Sequence, residues 1–295
     1  MAARRAGTPA RMGGPRPCRA RLPTLIPASN ARPPHMLAFV HIPKTAGTTL
    51  HKILFHQYPR VFIHHDTDGP PDSALAERLR NANPQVIMGH FSVGIHARIP
   101  EIRYITCLRD PVSRITSHYQ HARNDPTHYL HDAVVSRNLS LADYASSGLS
   151  GELSNGMTRM IAGIADFHQA IVNEQTLALA KSNIETLFDA VILSEHFDEG
   201  ILMLADSLDW KTPYYLRRKV GRYGAASREP DARTRGVIAR HNKLDCELHA
   251  WATRRFESQA AATPDLAARV RRFQKNNSCK GKFIFCLREL RRRVM

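Results

Sequence analysis

The chain has 295 residues, of which 43% are hydrophobic, and a formal net charge of +16. The charge lies at the ends: residues 1–35 contain seven Arg and no acid, and residues 269–295 contain ten Lys or Arg against one Glu, so residues 36–268 are neutral overall. A neutral body argues against reading the net charge as a nucleic-acid-binding signal of the fold itself. Five scattered cysteines without a CxxC pair indicate free thiols in a reducing compartment rather than a zinc site.

Composition divides the chain into three parts. Residues 1–35 hold seven of the 18 prolines and are expected to be disordered or, because Met36 stands directly before the first predicted strand, to lie upstream of the natural start. Residues 36–258 form the predicted folded domain, and residues 259–295 form a basic C-terminal tail. The sequence has no 18-residue apolar run and no apolar leader segment. We therefore expect a cytoplasmic protein whose basic ends provide contact with an anionic membrane surface or a polyanion.

Apolar runs and helical patterns alternate along the predicted domain. The predicted strands cover residues 36–42, 61–63, 85–89, 102–108 and 190–193. The predicted helices cover residues 50–58, 72–81, 112–123, most of 141–180, 197–208 and 233–257. This alternation predicts an α/β fold with a mostly parallel sheet flanked by helices.

A turn of small and hydroxyl residues joins the first predicted strand to the first predicted helix. It reads Pro43-Lys44-Thr45-Ala46-Gly47-Thr48-Thr49. The first N–H groups of a helix lack intrahelical partners and bind anions, and the small residues let a phosphate approach the backbone. The threonines add hydroxyl donors, and Lys44 adds a mobile positive charge. An ordinary strand–turn–helix connection with an exposed lysine is the plain alternative.

A nucleoside-triphosphate loop is the sharper alternative for this turn. Such a loop has the order GxxxxGK[ST], with Lys directly after the last Gly. Here Lys44 precedes Gly47 by three residues. No acidic residue follows a predicted strand in the context that a magnesium site requires, so no metal is expected.

A second candidate anion site follows the fourth predicted strand. Arg109 stands at the strand end, and Ser117 lies about two turns into the helix that Pro111 opens. Arg grips a phosphate with two N–H donors, and Ser adds a hydroxyl. The alternative interpretation makes Asp110 an N-cap and Arg114 a solvated helix residue.

Together, these two segments resemble the donor-binding segments of the sulfotransferases that use 3′-phosphoadenosine 5′-phosphosulfate (PAPS). The resemblance is strongest to the family that includes heparan sulfate 2-O-sulfotransferase and its bacterial relatives (sulfotransferase family 2), and it runs over most of residues 36–258. It implies a P-loop-like sulfotransferase fold and PAPS as co-substrate, with 3′-phosphoadenosine 5′-phosphate (PAP) as product. The residues that it assigns to the donor are Lys44, Thr45, Ala46, Gly47, Thr48, Thr49, Arg109 and Ser117.

The resemblance also implies the reaction and its base. Gly89-His90-Phe91 resembles the family segment whose His accepts the proton of the acceptor hydroxyl, and Lys44 matches the Lys that stabilises the leaving phosphate. His is the natural base near neutral pH. Other candidates for the base are His41, His118 and Glu152.

The acceptor is the least specified part. The family resemblance implies a carbohydrate hydroxyl. The helix Asn155-Gly-Met-Thr-Arg159 resembles an Asn-x-x-x-Arg helix of the family, which gives Arg159 a role in binding the acceptor or the donor. A structural salt bridge is the alternative for Arg159.

Two other classes of protein stay open at this point. A kinase-like nucleotide-binding P-loop protein explains the first anion loop, but it needs a magnesium site. A nucleic-acid-binding protein that uses its basic ends explains the net charge. No specific nucleic-acid partner is expected, because no aromatic–basic motif for base stacking is present.

Overall fold

Five parallel strands form the centre of the fold. The computed structural model describes residues 36–65, 72–216, 229–281 and 283, so the predicted N-terminal segment lies outside the described residues. The strands are β1 (Leu37–Val40), β2 (Val61–Ile63), β3 (Val86–Gly89), β4 (Arg103–Leu108) and β5 (Phe188–Leu193). Their order in the sheet is β2-β3-β1-β4-β5, and every neighbouring pair is parallel. The predicted α/β class with a parallel sheet is confirmed.

Helices make up most of the remaining described chain. They are α1 (Gly47–Gln57), α2 (Ser73–Ala82), α3 (Pro111–Asn124), α4 (His131–Ser136), α5 (Leu141–Ser146), α6 (Gly156–Ala162), α7 (Glu174–Leu187), α8 (Phe197–Ser207), α9 (Ala232–His241), α10 (Lys243–Ala262) and α11 (Leu266–Asn276). Among the described helices, none is both long and apolar enough to cross a membrane. The described cysteines, Cys107, Cys246 and Cys279, are free.

The sheet is buried along most of its length, and the exceptions are β2 and the start of β4. All residues of β1, β3 and β5 are buried, as expected of parallel strands covered by helices. One large core joins the sheet to the helices around it. A smaller cluster lies among α3, α4, α5 and α9, with Ile115, Tyr144 and Ile238 at its centre. The sheet therefore carries a helical unit next to the end of β4.

The structure differs from the predicted helix over residues 233–257. That segment is broken at Asn242, whose Nδ2 donates to the carbonyl oxygens of Leu153 and Ile238 at 2.9 and 3.1 Å. The Asn242 Oδ1 accepts the N–H of Asn155 at 3.0 Å. These contacts reach a segment 87 residues away, which no local pattern reveals.

The structure also differs from the predicted boundary of the C-terminal tail. Residue 259 lies within α10, and α11 follows it. Leu266, Val270 and Phe273 of α11 are buried in the main core. Their spacing of four and three residues is that of one helix face, so the folded body continues through α11.

Candidate active site

The carboxyl ends of the strands bring the predicted segments to one edge of the sheet. Val40 at the end of β1 pairs with Gly89 of β3 on one side and with Thr106 of β4 on the other. The segments that leave these strands are therefore neighbours. The strand order changes direction around β1, and ligands of open α/β sheets bind outside the carboxyl ends at such a point.

The β1–α1 loop has an unusual backbone conformation. Lys44 and Ala46 both lie in the left-handed region, with φ of 68° and 70°, an uncommon conformation for residues other than Gly that is often found at functional sites. No side chain caps α1, and its first turn holds no acidic residue. The N-terminal N–H groups of α1 therefore point to the carboxyl edge with the positive end of the helix dipole.

The hydroxyl groups of this loop differ in their surroundings. The Thr45 Oγ1 is buried and donates to the carbonyl oxygen of Ile42 at 2.8 Å. This hydroxyl, which was predicted to bind the ligand, therefore stabilises the loop itself. Thr48 is exposed and Thr49 is half-buried, so these two hydroxyls are the ones open to a ligand.

Gly47 is required where α1 passes His41. A Cβ added to Gly47 would lie 1.9 Å from the His41 Cδ2, so any side chain there would displace the imidazole. The loop and the His41 ring are therefore packed as one unit.

Arg109 joins the second predicted anion segment to the first. Its Nη1 donates to the carbonyl oxygen of Lys44 at 3.1 Å, and the Arg109 side chain is half-buried. Ser117 lies two turns along α3 and is also half-buried. The structure thus brings Lys44 and Arg109 together and places Ser117 on the helix that starts beside them.

Two residues that follow Arg109 in the sequence, Asp110 and Arg114, stabilise the fold around α3. Asp110 caps α3 by accepting the N–H of Ser113 at 2.8 Å, as the alternative interpretation predicted. That interpretation was wrong about Arg114, which is fully buried. The Arg114 Nη2 donates to the carbonyl oxygen of Glu152 at 2.6 Å and lies 3.7 Å from the Asp245 carboxylate. Burial is possible because a helix from late in the chain supplies the counter-charge.

His90 follows β3 at the same edge. Its Nδ1 lies 2.7 Å from the carbonyl oxygen of His41, and the two rings stack with centroids 4.4 Å apart. The His90 backbone N–H donates to the His65 Nδ1 at 3.1 Å. Burial lowers the pKa of His90 below 6.5, although the hydrogen bond to His41 and the Glu152 charge oppose that shift. His90 is thus neutral near pH 7.

The other candidate bases are engaged or shielded. The His118 ring is buried, with Nδ1 2.7 Å from the Tyr144 hydroxyl and Nε2 2.5 Å from the Glu152 Oε2. Burial alone would raise the pKa of Glu152, but the His118 hydrogen bond and the charges of His118, Arg114 and His90 lower the pKa to about 2. A carboxylate of such low pKa is a weak base. The His41 ring is buried against Gly47.

Arg159 lies within a network of backbone contacts. Its Nε donates to the carbonyl oxygen of Ser154 at 2.8 Å, and its Nη1 donates to those of Phe167 and Ala170 at 3.0 and 2.8 Å. With 6% of its surface exposed, Arg159 holds the α6–α7 connection. The contacts that support the alternative, structural role of Arg159 are therefore hydrogen bonds to backbone carbonyl groups.

The end of β5 supplies two residues to which the sequence assigned no role. The Ser194 hydroxyl lies 2.9 Å from the Thr45 carbonyl oxygen and 3.0 Å from that of Leu108. The Glu195 Oε1 accepts the N–H of Asp110 at 2.8 Å. Ser194 therefore connects the β1–α1 loop to the end of β4, and Glu195 holds the β4–α3 turn. The available signal was their position directly after a predicted strand, which places them at the ligand edge.

This parallel sheet, with a P-loop-like turn after its central strand and an Arg at the end of the next strand, defines a P-loop-like α/β protein. The family model described as Sulfotransferase family matches residues 29–176. The model covers half of the chain, and the chain belongs to this family. The predicted family membership is therefore confirmed.

Two relatives match over much of this chain. Galactose-3-O-sulfotransferase 3 of Homo sapiens is 26% identical over 238 residues, which are 68% of this chain and 51% of that protein. Galactose-3-O-sulfotransferase 3 of Mus musculus is 26% identical over 271 residues, which are 77% of this chain and 58% of that protein. The chain thus spans little more than half the length of these relatives.

Two solved structures are also similar. A sulfotransferase from Alicyclobacillus acidocaldarius is 18% identical with a TM-score of 0.43, over 76% of this chain and 97% of that one. The mouse sulfotransferase SULT7A1 complexed with PAP is 15% identical with a TM-score of 0.25, over 52% of this chain and 66% of that one.

Proposed function

We propose that this protein transfers a sulfuryl group from PAPS to a hydroxyl group of a carbohydrate. The observation that carries the proposal is the 3.1 Å hydrogen bond from the Arg109 Nη1 to the Lys44 carbonyl oxygen. It joins two segments that each suit an anion, as required for a nucleotide with phosphate at both its 5′ and 3′ positions. Family membership supports the same reaction.

The residues at the carboxyl edge fit such a donor. The uncapped N-terminus of α1, with the exposed hydroxyl of Thr48, suits the 5′-phosphosulfate. Arg109 and Ser117 suit the 3′-phosphate, because a guanidinium and a hydroxyl together satisfy several phosphate oxygens. Lys44 lies in the loop between β1 and α1. In this proposal its side chain stabilises the negative charge that develops on the leaving phosphate.

His90 is the base in this proposal because its neighbour fixes the protonation of its ring. A carbonyl oxygen only accepts hydrogen bonds, so the His90 Nδ1 that lies 2.7 Å from the His41 carbonyl carries the proton. The Nε2 of neutral His90 then has a free lone pair. In the reaction, Nε2 takes the hydroxyl proton, the acceptor oxygen forms a bond to sulfur, and the bond from sulfur to the 5′-phosphate oxygen breaks. PAP leaves with the electron pair.

The carbohydrate acceptor is supported by the relatives. Both are galactose-3-O-sulfotransferases by name, and the chain matches about half of each. A sugar hydroxyl is an ordinary alcohol that has to lose its proton during attack. The neutral His90 would accept that proton.

The test combines donor binding and transfer. The full chain is heated with PAP, with ADP, or with ATP and magnesium, and then incubated with labelled PAPS and neutral glycosides. PAP should raise the melting temperature more than either other nucleotide, since a ligand that binds only the folded state stabilises it. Labelled sulfate should appear on the sugar. A larger shift with ATP and magnesium, together with no transfer from PAPS, would contradict the proposal.

A further inference from the structure

Tyr129 presents an open aromatic face on the connection between α3 and α4. The residue is 60% exposed, yet its hydroxyl donates to the Ser150 Oγ at 2.9 Å. Its ring stacks on that of His128, with centroids 4.8 Å apart and an angle of 22° between the planes. One face of Tyr129 is therefore covered and the other faces solvent. A ring fixed at its hydroxyl and on one face loses little further conformational entropy when a ligand covers it.

This ring is connected through Ser150 and Glu152 to the first turn of α3, where the Arg114 Nη2 donates to the Glu152 carbonyl oxygen at 2.6 Å. The His128 ring is 5.1 Å from that of His118, whose Nε2 contacts the Glu152 carboxylate. Ser150, which accepts from Tyr129, also accepts the N–H of Glu152 at 3.2 Å. Burial and then the charges of His118, His121 and Lys44 lower the pKa of His128 to about 4, so the ring beneath Tyr129 is neutral near pH 7.

The surface formed by Tyr129 and His128 favours an uncharged ligand with an apolar face. An aromatic surface binds the C–H face of a ring, while polar groups at its margin bind hydroxyls. The side chains of His128 and Ser150, which contact Tyr129 in the described structure, offer no positive charge to a carboxylate or sulfate group. A neutral sugar ring offers an apolar C–H face and hydroxyls without negative charge.

We propose that the exposed face of Tyr129 binds the ring of a neutral sugar, the acceptor. The inference rests on the proposed function, since it assigns the acceptor side of the same site. Tyr129 binds the acceptor and takes no part in proton transfer.

The test uses the full chain with PAPS and three acceptors: methyl β-galactoside, methyl β-glucoside and methyl β-glucuronide. A neutral glycoside should be sulfated with the higher kcat/KM. Tyr129→Ala should raise the KM of that acceptor about tenfold while kcat stays within about twofold, because it removes contact made equally before and during reaction. Tyr129→Phe keeps the ring and should recover most of the lost affinity. Val135→Ala, at an exposed residue of α4, is the matched control and should leave KM unchanged.

The outcomes separate this inference from the proposed function. Three results would overturn the proposed role of Tyr129 in binding a neutral sugar: a preference for the glucuronide, an unchanged KM in Tyr129→Ala, or an equal rise of KM in Tyr129→Phe and Tyr129→Ala. If PAP stabilises the protein and PAPS is used but none of the neutral glycosides is sulfated, sugar binding by Tyr129 is contradicted while the use of PAPS as donor is not. If PAP gives no stabilisation and PAPS is not consumed with any acceptor, the proposed function itself fails.

Discussion

The Nδ1 of His90 lies 2.7 Å from the carbonyl oxygen of His41, the residue that directly follows β1. The parallel register of β1 and β3 produces this contact, because Val40 pairs with Gly89 and the next residues of both strands are neighbours. The backbone that leads into the β1–α1 loop therefore also sets the tautomer of the proposed base. The proposed donor site and the proposed proton acceptor are connected by a single hydrogen bond.

His90→Asn should lower kcat and remove the acid limb of the pH–rate profile. Burial lowers the pKa of His90 below 6.5, and a base acts only when neutral, so the wild-type kcat/KM should fall on acidification with an apparent pKa below 6.5. The profile is measured between pH 4.5 and 8, with PAP affinity and melting temperature as controls. A variant that keeps the wild-type acid limb would assign the proton to another group.

The strands could be predicted from the sequence because each contains a short apolar run, most of which the fold buries. Their order could not, since no local pattern indicates that β1 lies between β3 and β4. That order creates the contacts of His41 with His90 and of Lys44 with Arg109. The motifs therefore predicted the residues of the candidate site, and the sheet determines how they meet.

The roles of single side chains were harder to predict. Thr45 and Thr48 are alike in sequence, but the loop turns one inward to Ile42 and the other outward. Arg114 is buried because Asp245, from a distant helix, comes within 3.7 Å of it. Such long-range partners leave no trace in the local spacing of residues.

Lys44→Ala should reduce kcat by about a hundredfold or more, as loss of a group that stabilises transition-state charge does. PAP affinity should fall much less, because the α1 N-terminus and Arg109 remain. The two quantities are measured by initial rates at saturating PAPS and by titration with PAP. Lys52→Ala, also on a half-buried lysine of this region, is the control. Unchanged turnover in Lys44→Ala would remove this side chain from the reaction.

Arg109→Ala and Ser117→Ala should lose discrimination for the 3′-phosphate. Wild-type protein should bind PAP more tightly than AMP, and each variant should narrow that ratio, Arg109→Ala by about tenfold or more since a charged hydrogen bond is stronger than a neutral one. Because Arg109 also contacts the Lys44 carbonyl oxygen, its variant should lower kcat as well. Variants that preserve the wild-type ratio of PAP to AMP affinity would place the 3′-phosphate elsewhere.

His51, on α1, should make the fold sensitive to acid. Its ring packs edge-on against Phe39 and lies 4.9 Å from the His41 ring, and its buried Nε2 has no hydrogen-bond partner among the described residues. Burial, followed by the charges of His90, His65 and Lys52, lowers the pKa of His51 to about 4. The folded state therefore keeps this ring neutral at pH values where the unfolded chain protonates it.

The direction of the pH effect follows from this difference. Between pH 6.5 and about 4 the unfolded chain binds more protons than the folded one, so the free energy of unfolding falls as the pH falls through that window. His51→Phe keeps the packing and removes the titration, so its melting temperature should decline less than that of the wild type between pH 7 and 4.5. His241→Gln, at an exposed residue of α9, should decline as the wild type does. Equal declines in His51→Phe and wild type would show that the acid sensitivity arises elsewhere, with His41 as the next residue to test, because burial lowers its pKa well below 6.5 as well.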